Sequence, residues 1–268
     1  MSNSSILPCD DRQFLHSDEC YGLRLELEYL KPEIGFSQQH VNSTIVLFGS
    51  ARTLPPEVAA QRLKEAEEAL AASPQDAGLK RKLAAAQTQM DCSRYYQVAR
   101  DFGALCTREC QSRQLPSWDF VVLTGGGGGI MEAGNRGAAD SGGISAALNI
   151  ELPFEQHPNP YITPELSFQL MYFPIRKLHF LRRAKALGCF PGGFGTMDEL
   201  FEALTLIQTG KIPKMPVMLF GRDFWDKLIN WELFVEKGMI SPEDLNLLTY
   251  CETAQEGWDA ICDFYREK

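Results

Sequence analysis

The sequence lacks a membrane-spanning segment, a secretory signal and a metal-binding motif. It contains no apolar run of about 18 residues, the length that a membrane-spanning helix requires. Its first residues carry neither the basic segment nor the apolar core of a secretory signal. The eight cysteines form no Cys-x-x-Cys pair, and the four histidines stand at no metal-ligand spacing from them. We therefore expect a reduced, cytoplasmic protein without membrane contact or bound metal.

Positive charge is also in short supply. The chain has 35 acidic and 26 basic residues, a formal net charge of −9. A protein that holds a nucleic-acid backbone needs a broad basic face, so this class is excluded. A small phosphorylated ligand stays compatible, because a single phosphate needs only a few N–H groups and one or two cations.

What the chain does contain is a regular alternation of short apolar segments and helical patterns. Strands are predicted at residues 44–48, 120–123, 143–150, 167–173, 186–190 and 216–220. Helices are predicted at residues 130–141, 175–184, 196–208, 225–237 and 255–265. This alternation is typical of the α/β class with a doubly wound, Rossmann-like parallel sheet covered by helices on both faces. We expect residues 1–268 to form one domain.

Two segments stand outside this alternation. Residues 1–40 are predicted to be an N-terminal extension with a short helix or strand at 24–30, and the sequence assigns it no function. Residues 56–111, interrupted at 73–78, are predicted to form an antiparallel helical hairpin inserted in place of a single crossover helix. Such insertions are well tolerated, which favours a solvated hairpin without a role in chemistry. Contact with another subunit is the alternative.

Two predicted strand-to-helix turns are rich in glycine, and ligands of such sheets bind beyond the carboxyl ends of the strands. The first, residues 124–129, has five consecutive glycines, which indicates a backbone that approaches a ligand or adopts positive φ. It is not a P-loop, because no lysine follows, and Ile130 replaces the third glycine of a dinucleotide fingerprint. A tight turn that only needs unusual dihedral angles is an equal alternative.

The second turn, residues 191–199, reads Pro-Gly-Gly-Phe-Gly-Thr-Met-Asp-Glu. Because glycine has no side chain, the turn leaves backbone N–H groups uncovered at Gly192, Gly193 and Gly195. Thr196 is the predicted N-cap of the next helix, whose N-terminus is a natural seat for a phosphate. Asp198 and Glu199 are predicted in the first helical turn, where the dipole favours the ionised carboxylate, so neither is expected to donate a proton at neutral pH. Capping of the helix without any ligand is the alternative.

A cluster of five cations precedes this turn in an otherwise acidic chain: Arg176, Lys177, Arg182, Arg183 and Lys185. Charge runs of this kind are usually solvated surfaces. Arg176 and Lys177 stand out because they begin the helix that leads directly to the second glycine turn.

The Arg176-Lys177 pair followed by residues 191–199 resembles the Lonely-Guy family, whose mark is Pro-Gly-Gly-x-Gly-Thr-x-x-Glu after an upstream Arg-Lys. The nine-residue motif is highly specific. A softer likeness runs from residue 45 to about residue 220, and residues 124–133 and 200–211 look like its longer bacterial branch. Some members carry an old label of lysine decarboxylase, which nothing in the sequence supports, because no lysine is evidently placed for a pyridoxal Schiff base.

The resemblance implies a hydrolase without a cofactor. It would cleave the N-glycosidic bond of adenosine-type 5′-monophosphates, N6-substituted cytokinin nucleotides included, to the free base and ribose 5-phosphate. Arg176 and Glu199 would be the catalytic pair. The implied substrate contacts are Ser50, Gly126, Gly127, Lys177, Gly192, Gly193, Gly195 and Thr196. A homo-oligomer, at least a dimer, is implied as well.

The chemistry of the residues agrees with that implication. An ionised Glu199 would stabilise the positive charge that builds on the ribose in an oxocarbenium-like transition state, or orient the attacking water. Arg176 would either offset the charge of the leaving base or clamp the phosphate. The alternative function is a non-catalytic nucleotide or molybdenum-cofactor carrier of the same fold. Glu199 argues against it, since a carrier has no use for an ionised carboxylate beside the ribose.

Overall fold

The computed structural model describes residues 5–111, 117–152 and 157–266. Within these ranges, seven strands form one sheet in which every neighbouring pair is parallel. The strands are β1 (Thr44–Phe48), β2 (Val121–Thr124), β3 (Ser145–Ile150), β4 (Ser167–Leu170), β5 (Ala184–Cys189), β6 (Val217–Phe220) and β7 (Leu248–Cys251). Their order is β4-β3-β2-β1-β5-β6-β7, so the direction of winding reverses between β1 and β5. This confirms the doubly wound parallel sheet.

The helices are α1 (Arg12–Leu15), α2 (Tyr21–Gln38), α3 (Pro56–Ala72), α4 (Ala77–Gln111), α5 (Ile130–Asp140), α6 (Phe173–Arg182), α7 (Phe194–Gln208), α8 (Arg222–Leu228), α9 (Trp231–Glu236) and α10 (Ala254–Arg266). Short 3₁₀ segments lie at Asp18–Cys20, Pro164–Leu166 and Pro242–Leu247. Along the described parts of the chain, no helix combines the length and apolar character needed to cross a membrane.

The sheet separates two apolar cores. Val46 and Phe48 of β1 point into one core and Ile45 and Leu47 into the other, as expected of a central strand buried on both sides. The first core lies under α2, α6 and α7, and the second under α4, α5 and α10. The two cores hold the turns at the carboxyl ends of the strands in fixed positions.

Two predicted elements of the α/β alternation differ from the structure, and one strand was not predicted. The helix predicted at 225–237 is two helices, because Ile229 is extended and the Asn230 side chain caps α9 by accepting from the Leu233 N–H at 3.1 Å. The strand predicted to reach residue 173 ends at Leu170, since Pro174 starts a helix there. Strand β7 was not predicted; it is a short, partly exposed edge strand with a weak apolar pattern.

The two additional segments are both helical. Helices α3 and α4 form the predicted hairpin, and Asp76 between them accepts from the N–H groups of Gly78 and Leu79. The C-terminal half of α4 is itself the crossover helix, burying Tyr96 and Phe102 against the sheet. The N-terminal extension holds a longer helix than predicted: α2 continues through Pro32 and buries Phe36 against β4 and α6.

Candidate active site

The carboxyl ends of β1 and β5 meet where the winding reverses, and a cleft of about 610 Å³ opens there. Such a reversal point is where ligands of open α/β sheets bind. The turn after β1, the turn after β2, the end of β3 and the first turns of α6 and α7 form the walls of this cleft. We call it the β1–β5 cleft.

Ser50 ties the turns around the cleft together. Its N–H donates to the Pro191 carbonyl at 3.0 Å, and its own carbonyl accepts from the Ile130 N–H at 3.1 Å. The turns after β1, β2 and β5 are therefore joined by backbone hydrogen bonds, and Ser50 itself lines the cleft.

The N-terminus of α7 opens into the cleft, but it begins earlier than the sequence predicts. The N-cap is Gly193 and the first helical residue is Phe194, so Thr196 is not the N-cap. Thr196 lies within the first turn with its Oγ1 directly over Gly192, where a Cβ would approach it to 2.0 Å. A Cβ at Gly193 or Gly195 would meet no atom within 4 Å. The first N–H groups of α7 lack partners inside the helix, and no side chain at Gly193 or Gly195 covers this end.

Glu199 occupies the second turn of α7 rather than the first, and it is only 7% exposed. Burial raises its pKa to about 7, against the opposing charges of Arg176 and Lys177. The sequence-based expectation of a fully ionised carboxylate is therefore wrong. The helix dipole fades after the first turn, whereas the loss of hydration acts directly on the carboxylate. Near neutral pH, Glu199 can both accept and release a proton.

Arg176 lines the same cleft as Glu199, so the structure brings the predicted catalytic pair together. Its Nε donates to the Leu148 carbonyl at 2.8 Å and its Nη2 to the Gly125 carbonyl at 3.3 Å. The guanidinium also lies 5.1 Å from the centre of the Phe180 ring. Burial lowers the pKa of Arg176 while the charge of Glu199 raises it, and an arginine keeps its proton in such surroundings. Arg176 is thus a cation held in place by two hydrogen bonds, and its other N–H groups can donate to a ligand.

Lys177 is not brought into the cleft. Its Nζ donates to Asp198 Oδ1 at 2.9 Å and lies 2.8 Å from Glu202 Oε2, so it joins α6 to α7 outside the set of lining side chains. Burial lowers the pKa of Lys177, but the two carboxylates raise it further. Its charge is already balanced by the protein.

The first glycine turn reaches the cleft through Gly125 rather than through the predicted Gly126 and Gly127. Those two lie beneath the surface, where their carbonyls accept from Asn159 Nδ2 at 3.2 and 3.1 Å. Gly126 has φ +78°, and a Cβ there would lie 2.1 Å from Asn149 Oδ1. The packing of neighbouring side chains, more than contact with the cleft, accounts for these two glycines.

Several lining residues were not predicted from the sequence: Arg52, Met131, Leu152, Phe173 and Phe194. All of them stand close to the carboxyl end of a strand or the start of the following helix, and this is the signal that could have found them. Phe194, the variable residue of the motif, is 96% exposed at the mouth of the cleft. Across the ranges that the structure covers, no group of three or more His, Cys, Asp or Glu side chains could hold a metal ion.

Comparison with known proteins agrees with the motif. The family model described as "possible lysine decarboxylase" matches residues 131–261. A probable cytokinin riboside 5′-monophosphate phosphoribohydrolase of Oryza sativa subsp. japonica is 35% identical over 91 residues, 33% of this chain and 43% of that protein. A cytokinin riboside 5′-monophosphate phosphoribohydrolase of Arabidopsis thaliana is 35% identical over 83 residues, 30% of this chain and 38% of that protein. A molybdenum cofactor carrier protein from Chlamydomonas reinhardtii, 16% identical, has a TM-score of 0.47 over 84% of this chain and 99% of that one.

The fold and the cleft thus define an α/β protein with an open cleft beside a helix N-terminus, at the place where ligands of such sheets bind. The chain is similar to the matched family model over residues 131–261 and to relatives that are named cytokinin riboside 5′-monophosphate phosphoribohydrolases. It spans less than half the length of these curated relatives. Among the residues that line the cleft in the described chain there is no lysine, which a pyridoxal-dependent decarboxylase needs for its Schiff base.

Proposed function

We propose that this protein hydrolyses the N-glycosidic bond of nucleoside 5′-monophosphates and releases the free base and ribose 5-phosphate. The observation that carries the proposal is the placement of Glu199 and Arg176 in one cleft beside the uncovered N-terminus of α7. The proposal retains the homo-oligomeric, cytoplasmic enzyme that the sequence predicts, with adenosine-type nucleotides, N6-substituted ones included, as the substrates to test first.

The 5′-phosphate would bind at the N-terminus of α7. The first N–H groups of a helix lack partners within it, Gly193 and Gly195 place no side chain there, and the helix dipole favours an anion at that end. Gly193 and Gly195 leave room for the phosphate oxygens, and the exposed Arg52 across the cleft supplies a cation. Arg52 suits this task better than Lys177, whose charge is taken up by two carboxylates.

A phosphate in this position places the ribose beside Glu199, one helical turn further along α7. The carboxylate takes a proton from a water molecule, whose oxygen attacks C1′ as the bond from C1′ to the base nitrogen breaks. The bonding electrons leave with the base, and hydrogen bonds from Arg176 offset its negative charge until the base takes up the proton that Glu199 accepted, either directly or through water. A pKa of about 7 suits Glu199 to this task, because a base works best when its pKa lies close to the working pH.

The base itself would lie on the apolar part of the lining, which Met131, Leu152 and Phe173 form. These side chains come from the start of α5, the chain after β3 and the first turn of α6. A flat aromatic base buries well against such a surface.

The test is to incubate the protein with AMP, an N6-prenylated AMP, GMP and CMP, and to measure free base and ribose 5-phosphate. We expect Glu199→Gln to bind AMP normally and to lose turnover by about 100-fold or more, since the base in the reaction is removed. Glu202→Gln, one turn further along the same helix and outside the cleft lining, is the matched control and should keep its turnover. If the unaltered protein binds AMP and leaves it whole, the carrier function replaces the hydrolase.

The pH dependence of kcat/KM gives a second test of Glu199. Because the ionised form is the base, kcat/KM should rise with pH below the pKa of about 7 and level off above it. Well below that pKa, the rise should be about tenfold per pH unit. The inflection should disappear in Glu199→Gln. A flat profile in the unaltered protein between about pH 5.5 and 8.5 would remove Glu199 as the base.

A further inference from the structure

The N-terminal helix α2 is fastened to α6, the helix that carries Arg176, at both ends. At one end, the Glu33 carboxylate accepts from Arg182 Nε at 2.9 Å and from both terminal nitrogens of Arg183 at 2.5 and 2.9 Å. In the middle, the Tyr29 ring stacks on His179 with centroids 5.5 Å apart. At the other end lies Glu28. Helix α2 therefore follows α6 over most of its length.

Glu28 holds the point at which the chain enters α6. Its Oε1 accepts from the Met171 N–H at 2.6 Å and its Oε2 from the Tyr172 N–H at 3.0 Å. Tyr172 is the N-cap of α6, and its own side chain makes no capping hydrogen bond. Arg24 of α2 fixes the same residue by donating to the Tyr172 hydroxyl at 2.8 Å. Glu28 thus fixes the N-cap by accepting from its N–H, as the acidic residue of a capping box does from within its own helix.

This contact lies within one helical turn of the β1–β5 cleft. Phe173, the first residue of α6, lines the cleft, and the Arg176 N–H donates to the Tyr172 carbonyl at 3.1 Å. The far end of the Arg176 side chain is held by the Leu148 carbonyl. The backbone end depends on the first turn of α6 staying closed, and Glu28 fixes Met171 and Tyr172, the residues from which that turn starts.

We propose that Glu28 is a positioning residue that sets Arg176 and Phe173 against the substrate through the start of α6. The N-terminal extension, to which the sequence assigned no function, then forms part of the catalytic scaffold. This inference rests on the proposed hydrolase. Displacement of a catalytic group by a fraction of an ångström lowers the rate of the chemical step without abolishing binding.

The test compares Glu28→Gln with Glu26→Gln, an exposed glutamate on the same helix. We expect Glu28→Gln to lower kcat for AMP about tenfold while the Kd for ribose 5-phosphate stays within twofold, because the phosphate is held by α7. Glu26→Gln should change neither quantity. Unchanged kcat in Glu28→Gln, even with a lower melting temperature, would overturn the inference, and so would a parallel loss of kcat and of ribose 5-phosphate binding.

Amide hydrogen exchange separates this inference from the proposed function. Exchange at residues 173–177 should be faster in Glu28→Gln than in Glu26→Gln or the unaltered protein. If no nucleotide is cleaved but exchange quickens as expected, the hydrolase is wrong and the support of α6 by Glu28 stands. Equal exchange in all three proteins would overturn the support whatever the activity.

Discussion

The two glycine-rich turns look alike in the sequence, yet the structure uses their glycines differently. In the turn after β2, the space beside the glycines is occupied: Asn149 fills the place of a Cβ at Gly126, and the Ser50 carbonyl fills it at Gly129. In the turn after β5, Gly193 and Gly195 adjoin nothing within 4 Å. Glycines crowded by the protein serve packing, whereas glycines beside empty space leave room for a ligand. The open space beside Gly193 and Gly195 supports the proposal that the phosphate binds at the second turn, and the crowding in the first turn favours a structural role there.

The largest effect is expected at Gly129, which we propose to change to alanine. Its φ is +64°, and the new Cβ would approach the Ser50 carbonyl oxygen to 2.2 Å. Backbone strain and overpacking together should lower the free energy of unfolding by roughly 3–5 kcal/mol. Gly142→Ala is the matched control, because its φ of +72° is similar but no atom lies within 4 Å. That control should cost only about 1 kcal/mol in urea unfolding. Equal losses at the two positions would refute the packing role of the first turn.

Gly195→Ala should act on binding and not on folding. Gly195 is the second residue of α7, has no positive φ and faces open space, so alanine fits and stabilises the helix by up to about 1 kcal/mol. Its methyl group would point into the space assigned to the phosphate, so KM for AMP should rise about tenfold or more, a change of roughly 1.4 kcal/mol. Gly22→Ala, at the second position of α2, is the control and should leave KM unchanged. An unchanged KM in Gly195→Ala would place the phosphate elsewhere.

The strands and the two turns could be predicted because their signals are local. A short apolar run followed by glycines identifies the ends of β1, β2 and β5 without knowledge of the rest of the chain. Only the family motif predicted that Arg176 and Glu199 lie in the same site. No periodicity relates two residues that far apart on different helices.

Properties that depend on packing could not be predicted from the sequence. The raised pKa of Glu199 follows from its burial, which only the assembled cleft creates. The role of Glu28 depends on α2 lying against α6, more than 140 positions further along the chain. The resemblance implied substrate contacts at Gly126 and Gly127, and the sequence alone could not test this, because a run of glycines reads the same whether a ligand or Asn149 fills the space beside it.

The smallest effect is expected on removing the charge of Lys177. This change tests which cation binds the substrate phosphate. In Lys177→Met the stem is kept and the charge removed, so only the contacts with Asp198 and Glu202 are lost. Because these carboxylates are partly exposed, stability should fall by no more than about 1 kcal/mol, and KM for AMP should stay within about twofold. Arg52→Met, at the mouth of the cleft, is the comparison and should raise KM about tenfold by removing a charge-assisted hydrogen bond. The reverse result, a large rise with Lys177→Met and none with Arg52→Met, would mean that Lys177 leaves its carboxylates to bind the substrate, as the family resemblance implies.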